Sequence, residues 1–271
     1  MPSGDGPGVS GYLAVARAAV LEFLAYRSGL VVEFLGYPLA FLGYFFFIRG
    51  LSLAGHNPPG YPFPQLLTYF ALAWLLRMIF HQGTDNALSG MIITGRIAQE
   101  LVRPLDLRLL LLSRFTGAAA ARLLCFSLPG LALLLFIFGP VLVWRPGNLP
   151  AFLLFATLGC WLSFELQFFI GLLAFYLTMN YQISWTLDLL IRLASGLIIP
   201  LDLYPGVVVG ALEVLPFQYL YFLPLQVYLG TAAGGDLPWR LLGGLAWAGT
   251  LWGLNRLVLA RALRQLAVLG S

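Results

Sequence analysis

Asp188 and Arg192 lie four residues apart in an apolar stretch, so on a helix their side chains meet on one face. Such a pair can staple a helix or take part in a proton relay, and the staple is the preferred reading. Glu165 stands near the middle of another apolar run, and Arg77 and Arg192 come at comparable depths by counting. A carboxylate in that position is costly and turns to the bundle interior or to a cavity. Glu165 is therefore read first as a structural ion pair or hydrogen-bonded carboxyl, and second as lining of a polar pathway. Cys125 and Cys160 fall inside apolar runs and form neither a CxxC pair nor a disulfide framework. His56 and His81 sit on separate segments without ligand-like spacing, so no metal is expected. Glu165, Asp188 and Asp202 are too scattered for an intramembrane enzyme acting on lipid, and no catalytic residue is expected. All fifteen cations are arginine. A P-loop needs a lysine on the nucleotide phosphates, so this chain carries no Walker-type ATPase of its own and binds no cofactor by that route.

The elements that position these groups are membrane-crossing helices. Hydrophobic residues make up 60% of the chain and charged ones 10%, against about 25% charged in an ordinary soluble domain. The fold class is all-α and polytopic, with an N-terminal interfacial helix over 12–27 and six spans near 29–49, 65–82, 117–140, 151–177, 183–203 and 238–257. Residues 1–11 read as disordered, 12–258 as one membrane domain and 259–271 as a cytoplasmic C-tail. No cleavable signal peptide is expected, because Arg17 and Glu22 interrupt the first apolar run and no basic n-region precedes it. With the N-terminus inside, nine arginines fall in inner segments and three (Arg49, Arg145, Arg240) in outer ones. Both termini are thus expected in the cytoplasm. The lipid bilayer is its surrounding, and no nucleic acid partner is expected. The aromatic runs at 44–47, 164–176 and 219–222 are read as ordinary packing and interface residues before a hydrophobic substrate route.

Two connections stand out. Residues 90–114 form the polar stretch between the second and third spans. Gly95 can release the preceding helix, and Arg96, Ile97, Glu100, Leu101 and Arg103 follow as a short amphipathic turn. Pro104 should stop it. It is read as a partner-docking surface, with a solvated loop that only sets topology as the alternative. Residues 200–237 carry Pro200, Pro205, Pro216 and Pro224 among apolar residues, leaving pieces too short to cross. Re-entrant half-helices over 204–230 fit that pattern, since irregular backbone at membrane depth needs protein or a watery cavity around it.

The stretch GRIAQELVRPLDLRLLLLSR resembles the cytoplasmic segment of the ABC type-2 exporter permeases. The later SGLIIPLDLYPG and LPFQYLYFLPLQVYLG are similar to that family's signature at Ser195, Gly196, Pro200, Leu201, Tyr204, Pro205, Gly206, Leu215, Pro216, Phe217, Pro224 and Gly230. The resemblance implies a non-enzymatic permease subunit of an ATP-driven exporter in a bacterial plasma (inner) membrane that works by alternating access. Its implied partners are two copies of a cytosolic ABC ATPase, which hold ATP and Mg, and a second permease subunit, identical or homologous. It further implies that Gly95, Arg96, Ile97, Glu100, Leu101, Arg103 and Pro104 form a coupling helix seated in the ATPase. Ser195, Gly196, Pro200, Leu201, Pro205, Pro216 and Phe217 would then belong to extracellular re-entrant helices that close the pathway. The alternative is an ATP-independent secondary transporter or channel, which predicts discontinuous helices at matching places in two halves. The proline-rich connection has no counterpart in the first half.

Overall fold

The computed structural model describes residues 9–25, 27–55, 58, 60–102, 105–139, 141–177, 181–232 and 234–269. His56, Arg103 and Pro104 lie outside them, as do residues 1–8 and 178–180. The described residues form twelve α-helices and no strand: α1 (Val9–Ala25), α2 (Arg27–Leu53), α3 (Phe63–Phe80), α4 (Thr84–Ile93), α5 (Ile97–Leu101), α6 (Leu107–Arg122), α7 (Leu128–Phe138), α8 (Leu149–Leu172), α9 (Tyr181–Ala194), α10 (Gly206–Val214), α11 (Phe222–Leu229) and α12 (Leu237–Leu269). Among the described residues, three stretches are long and apolar enough to cross a membrane: Phe63–Ile93, Leu107–Phe138 and Pro146–Phe175.

Local chemistry explains the main boundaries. Asp106 caps α6, its carboxylate accepting from the Leu109 N–H at 3.0 Å. Helix therefore begins at Leu107, ten residues before the expected start of the third span. Leu123–Ser127 form a π-helical turn joining α6 to α7. The wider turn comes just ahead of Pro129, whose missing N–H and ring would strain a regular helix there. The second span also runs longer than expected. It breaks after Phe80, where Gly83 adopts φ 69°, and resumes as α4 to Ile93. Only 94–106 remains as the connection.

The fifth span departs most from expectation. α9 has 14 residues and ends at Ala194 instead of reaching 203, about 21 Å of helix. Gly196 stops it at φ 80°, with the Leu197 N–H returning to the Arg192 carbonyl and the Ser195 N–H to the Ile191 carbonyl. A Cβ at Gly196 would lie 2.9 Å from both Phe222 Cβ and the Tyr69 hydroxyl. Gly196→Ala should cost about 2–4 kcal/mol from left-handed strain and overpacking. A thermal unfolding midpoint no lower than that of the parent protein would refute this.

The core has two parts. The larger packs α3, α8 and α11 together through Leu67, Tyr69, Leu162, Leu223 and Leu225. The smaller gathers Leu88, Ile97, Leu110, Leu111, Phe115, Phe164, Phe168 and Leu172 at the arginine-rich end. α1 packs along α6, with Phe23 edge-on to Phe126. Of the first aromatic run, Tyr44 stacks on Phe70 and Phe45 meets Phe138, while Phe46 and Phe47 face outward.

Candidate functional site

The turn between α4 and α6 is built by Gly95, whose φ of 72° lets the chain leave α4 and start α5 with three residues between them. α5 has five residues. Ile97 is its anchor, buried against Leu107, Leu110 and Phe115. Glu100 also turns inward and pairs with Arg114 of α6 at 3.3 Å. Arg96, Ala98, Gln99 and Leu101 remain exposed, and Val102 is 87% exposed. The apolar residues of the turn, Ile97, Leu101 and Val102, are thus split between the two sides. Ile97 fastens the turn from within, and Leu101 with Val102 makes a small apolar surface facing out. A five-residue helix takes its orientation from what its anchor packs on, and sequence spacing alone does not supply that.

Glu165 of α8 is fully buried. The Arg108 guanidinium of α6 forms an ion pair with its Oε1, and Asn255 Nδ2 of α12 donates to Oε2 at 2.7 Å and to the Glu165 carbonyl at 2.9 Å. Arg108 also lies 5.4 Å from the Trp252 ring centre and 6.0 Å from that of Trp161. The carboxylate therefore has its cation and its amide, and the two aromatic rings shield the guanidinium. Arg77 and Arg192, at comparable depth in the sequence, do not reach it.

Both arginines converge on Asp188 instead. Arg192 is ion-paired with Asp188 Oδ2 across one helical turn, Arg77 approaches the same oxygen at 3.3 Å, and His81 Nδ1 lies 3.4 Å from Oδ1. Beside this cluster is the break at 81–83, where backbone groups freed from the helix need other partners. The Gln167 side-chain amide donates to the Phe80 carbonyl at 2.8 Å, and its carbonyl accepts from Gln82 N–H at 3.3 Å and Thr84 N–H at 3.2 Å. Ser163 donates to Phe80 O at 2.9 Å, and Arg122 Nη1 donates to His81 O at 2.9 Å. One glutamine thus bridges both ends of the discontinuity.

The proline-rich end holds a third arrangement. Tyr69 donates to the Gly196 carbonyl at 2.5 Å, and the Phe222 N–H donates to Ser195 O at 3.0 Å, which ties the end of α9 to the start of α11. Tyr61 donates to Asp202 Oδ2 at 2.8 Å, and Gln226 Nε2 donates to both the Asp202 carboxylate and the Tyr61 hydroxyl. Burial, and then the Asp202 carboxylate that it serves, push the Tyr61 phenol far above its ordinary pKa. Ser195, Gly196, Pro200, Leu201 and Pro216 are buried, Phe217 is half-buried and Pro205 is exposed. α11 is buried along its length, whereas α10 leaves Val207 and Val214 at 91% and 70% exposure.

Several members of these arrangements carried no local signal. Asn255, Gln167, Tyr61 and Gln226 are ordinary polar residues, and most of the partners named for them lie 83–165 positions away, as in Thr84–Gln167 and Tyr61–Gln226. An uncharged polar residue at membrane depth was the available hint. Residues 39–270 match the model of a protein family described as ABC-2 family transporter protein. No curated protein matches the chain.

Proposed function

This chain belongs to the ABC-2 transporter family, and we propose that within it this multi-pass membrane protein is the permease subunit of an ATP-driven exporter. The observation that carries the reading is the outward apolar face of Leu101 and Val102 on a turn fastened by buried Ile97. The turn is short and held from behind, and it presents a few side chains of the kind a cytosolic ATPase can grip. The chain contains no lysine for a nucleotide site of its own. Arginine distribution supports an orientation with this turn, both termini and the far end of α12 in the cytoplasm of a bacterial inner membrane. α10 and α11 then stand at the outer side as re-entrant elements that help to close the route. Two ATPase copies and a second permease, identical or homologous, complete the assembly. ATP-driven closure of the ATPases would move the turn, and through α4 and α6 the spans.

Gentle purification of the native complex should bring a cytosolic ABC ATPase with the permease, and transport into sealed vesicles should stop when ATP is withheld. Transport that persists without ATP and without a bound ATPase would overturn the reading. That outcome would support the second one, an ATP-independent transporter. The break at 81–83 favours this second reading, because discontinuous helices are where such transporters place their sites.

A further inference from the structure

A separate pocket of about 260 Å³ lies between α3, α7, α11 and residues 142–144, at the end of the Phe63–Ile93 stretch remote from α5. Its wall includes Thr68 and Ala71 of α3 and Tyr228 of α11, all buried, and its edge includes Leu135 of α7 and Trp144, both exposed. Both side-chain hydroxyls in the wall are already engaged. Thr68 donates to the Pro64 carbonyl at 2.7 Å and accepts from the Val143 N–H at 2.8 Å. Tyr228 donates to the Val143 carbonyl at 3.3 Å and accepts from the Arg145 N–H at 3.5 Å. A buried water wants about two to four polar partners, and an apolar cavity of about 150 Å³ already takes up one benzene. Hydrocarbon, not water, suits this wall.

The edge of the pocket lies among residues that face the bilayer. α7 leaves Leu128, Phe136 and Ile137 exposed, the face that a membrane-crossing helix turns to lipid tails as apolar as itself. Beyond its end stand Trp144 and Arg145, both exposed. An indole in that place marks the headgroup level, and a guanidinium fork matches a phosphate. Thr68 and Leu72 lie about 8–14 Å along α3 from its start. One leaflet of hydrocarbon is roughly 15 Å deep, so the pocket sits at the depth of the acyl chains.

We propose that one acyl chain of a phospholipid, in the leaflet opposite the α5 turn, enters between α7 and residues 142–144 and occupies this pocket. Its phosphate then stands at the level of Arg145. The bound chain packs α3, α7 and α11 into one unit beside the proline-rich stretch. A hydrophobic cargo molecule would meet the same wall, but an entrance among lipid-facing residues selects the bilayer as the source.

The purified permease, with whatever ATPase accompanies it, is placed in vesicles of phosphatidylethanolamine and phosphatidylglycerol. A small fraction of the lipid carries a diazirine partway along one acyl chain, and after irradiation the labelled residues are mapped by mass spectrometry. Phe136, 88% exposed, reports lipid passing over the surface, whereas Ala71 and Tyr228, 1% and 5% exposed, are reached only from inside the pocket. The parent protein should carry label on Tyr228 and on residues 68–72 as well as on Phe136. Ala71→Phe fills the pocket and should remove most of the Tyr228 label while that on Phe136 stays. Leu135→Trp narrows the entrance from an exposed position, leaves the buried wall intact and should give the same loss. Label on Phe136 without any on Tyr228 or 68–72 overturns the proposal, and is also the outcome if a second permease chain fills the pocket. A Tyr228 label that both variants leave unchanged overturns it too. The labelling needs neither ATP nor a bound ATPase, so its result is independent of the exporter reading.

Discussion

Leu101→Asp combined with Val102→Asp should abolish ATP-dependent transport while the permease still inserts and folds. Both side chains point away from the molecule, so a charge there meets water in the free subunit and costs little. At a docked interface the same change removes a small apolar anchor and buries two carboxylates, a loss of about 2 kcal/mol or more for each well-seated anchor. One such anchor corresponds to roughly thirtyfold weaker ATPase binding. The measurement is ATPase retention on the purified permease, set beside the permease's own unfolding midpoint. Undiminished ATPase retention would remove α5 from the docking surface.

The same geometry separates Glu100 from its exposed neighbours. Glu100 faces Arg114 and is mostly covered, so Glu100→Arg acts first by placing two guanidinium groups together inside the turn. The charge swap Glu100→Arg with Arg114→Glu should restore much of what Glu100→Arg loses. If the swap folds normally yet binds no ATPase, Glu100 contacts the partner directly.

Glu165→Leu should be the most destabilising single change among the polar residues at membrane depth, at about 3–5 kcal/mol. It leaves the Arg108 guanidinium buried without its carboxylate and takes from Asn255 its 2.7 Å acceptor. Glu165→Gln keeps a hydrogen-bonding partner and should cost less. Replacing both charges, Glu165→Leu with Arg108→Met, should recover most of the loss, because an apolar pair needs no compensation. Unfolding in mixed detergent reads all three variants. If the double variant is no better than Glu165→Leu, the ion pair is not what Glu165 contributes.

How far each arrangement was legible depends on how far apart its partners lie along the chain. Asp188 and Arg192 are one helical turn apart, and the turn brings them together whatever the rest of the fold does. Gly95 is legible in the same way, since a left-handed backbone between two helical patterns is a local demand. Glu165 is the opposite case. Its depth was readable, but Arg108 is 57 positions away and Asn255 is 90, and Arg77 or Arg192 was an equally good guess from counting. The end of the fifth span was also hidden, because 195–203 is as apolar as the helix before it. The chain stops there because Gly196 fits under Phe222 and Tyr69, a contact made by distant elements.

The amino-acid sequence by itself determined that this is a multi-span membrane chain, with a polar turn after Gly95 and a proline-interrupted stretch after α9. Those follow from composition and from backbone preferences that act over a few residues. Only the tertiary structure decided which carboxylates Arg77 and Arg108 meet, that Gln167 bridges a break at 81–83, and that Ile97 faces inward while Val102 faces out. These depend on the rotation of each helix about its axis and on its neighbours. In a chain that is apolar on nearly every face, hydrophobic periodicity carries little information about rotation. Packing of α6, α8 and α12 against one another supplies it.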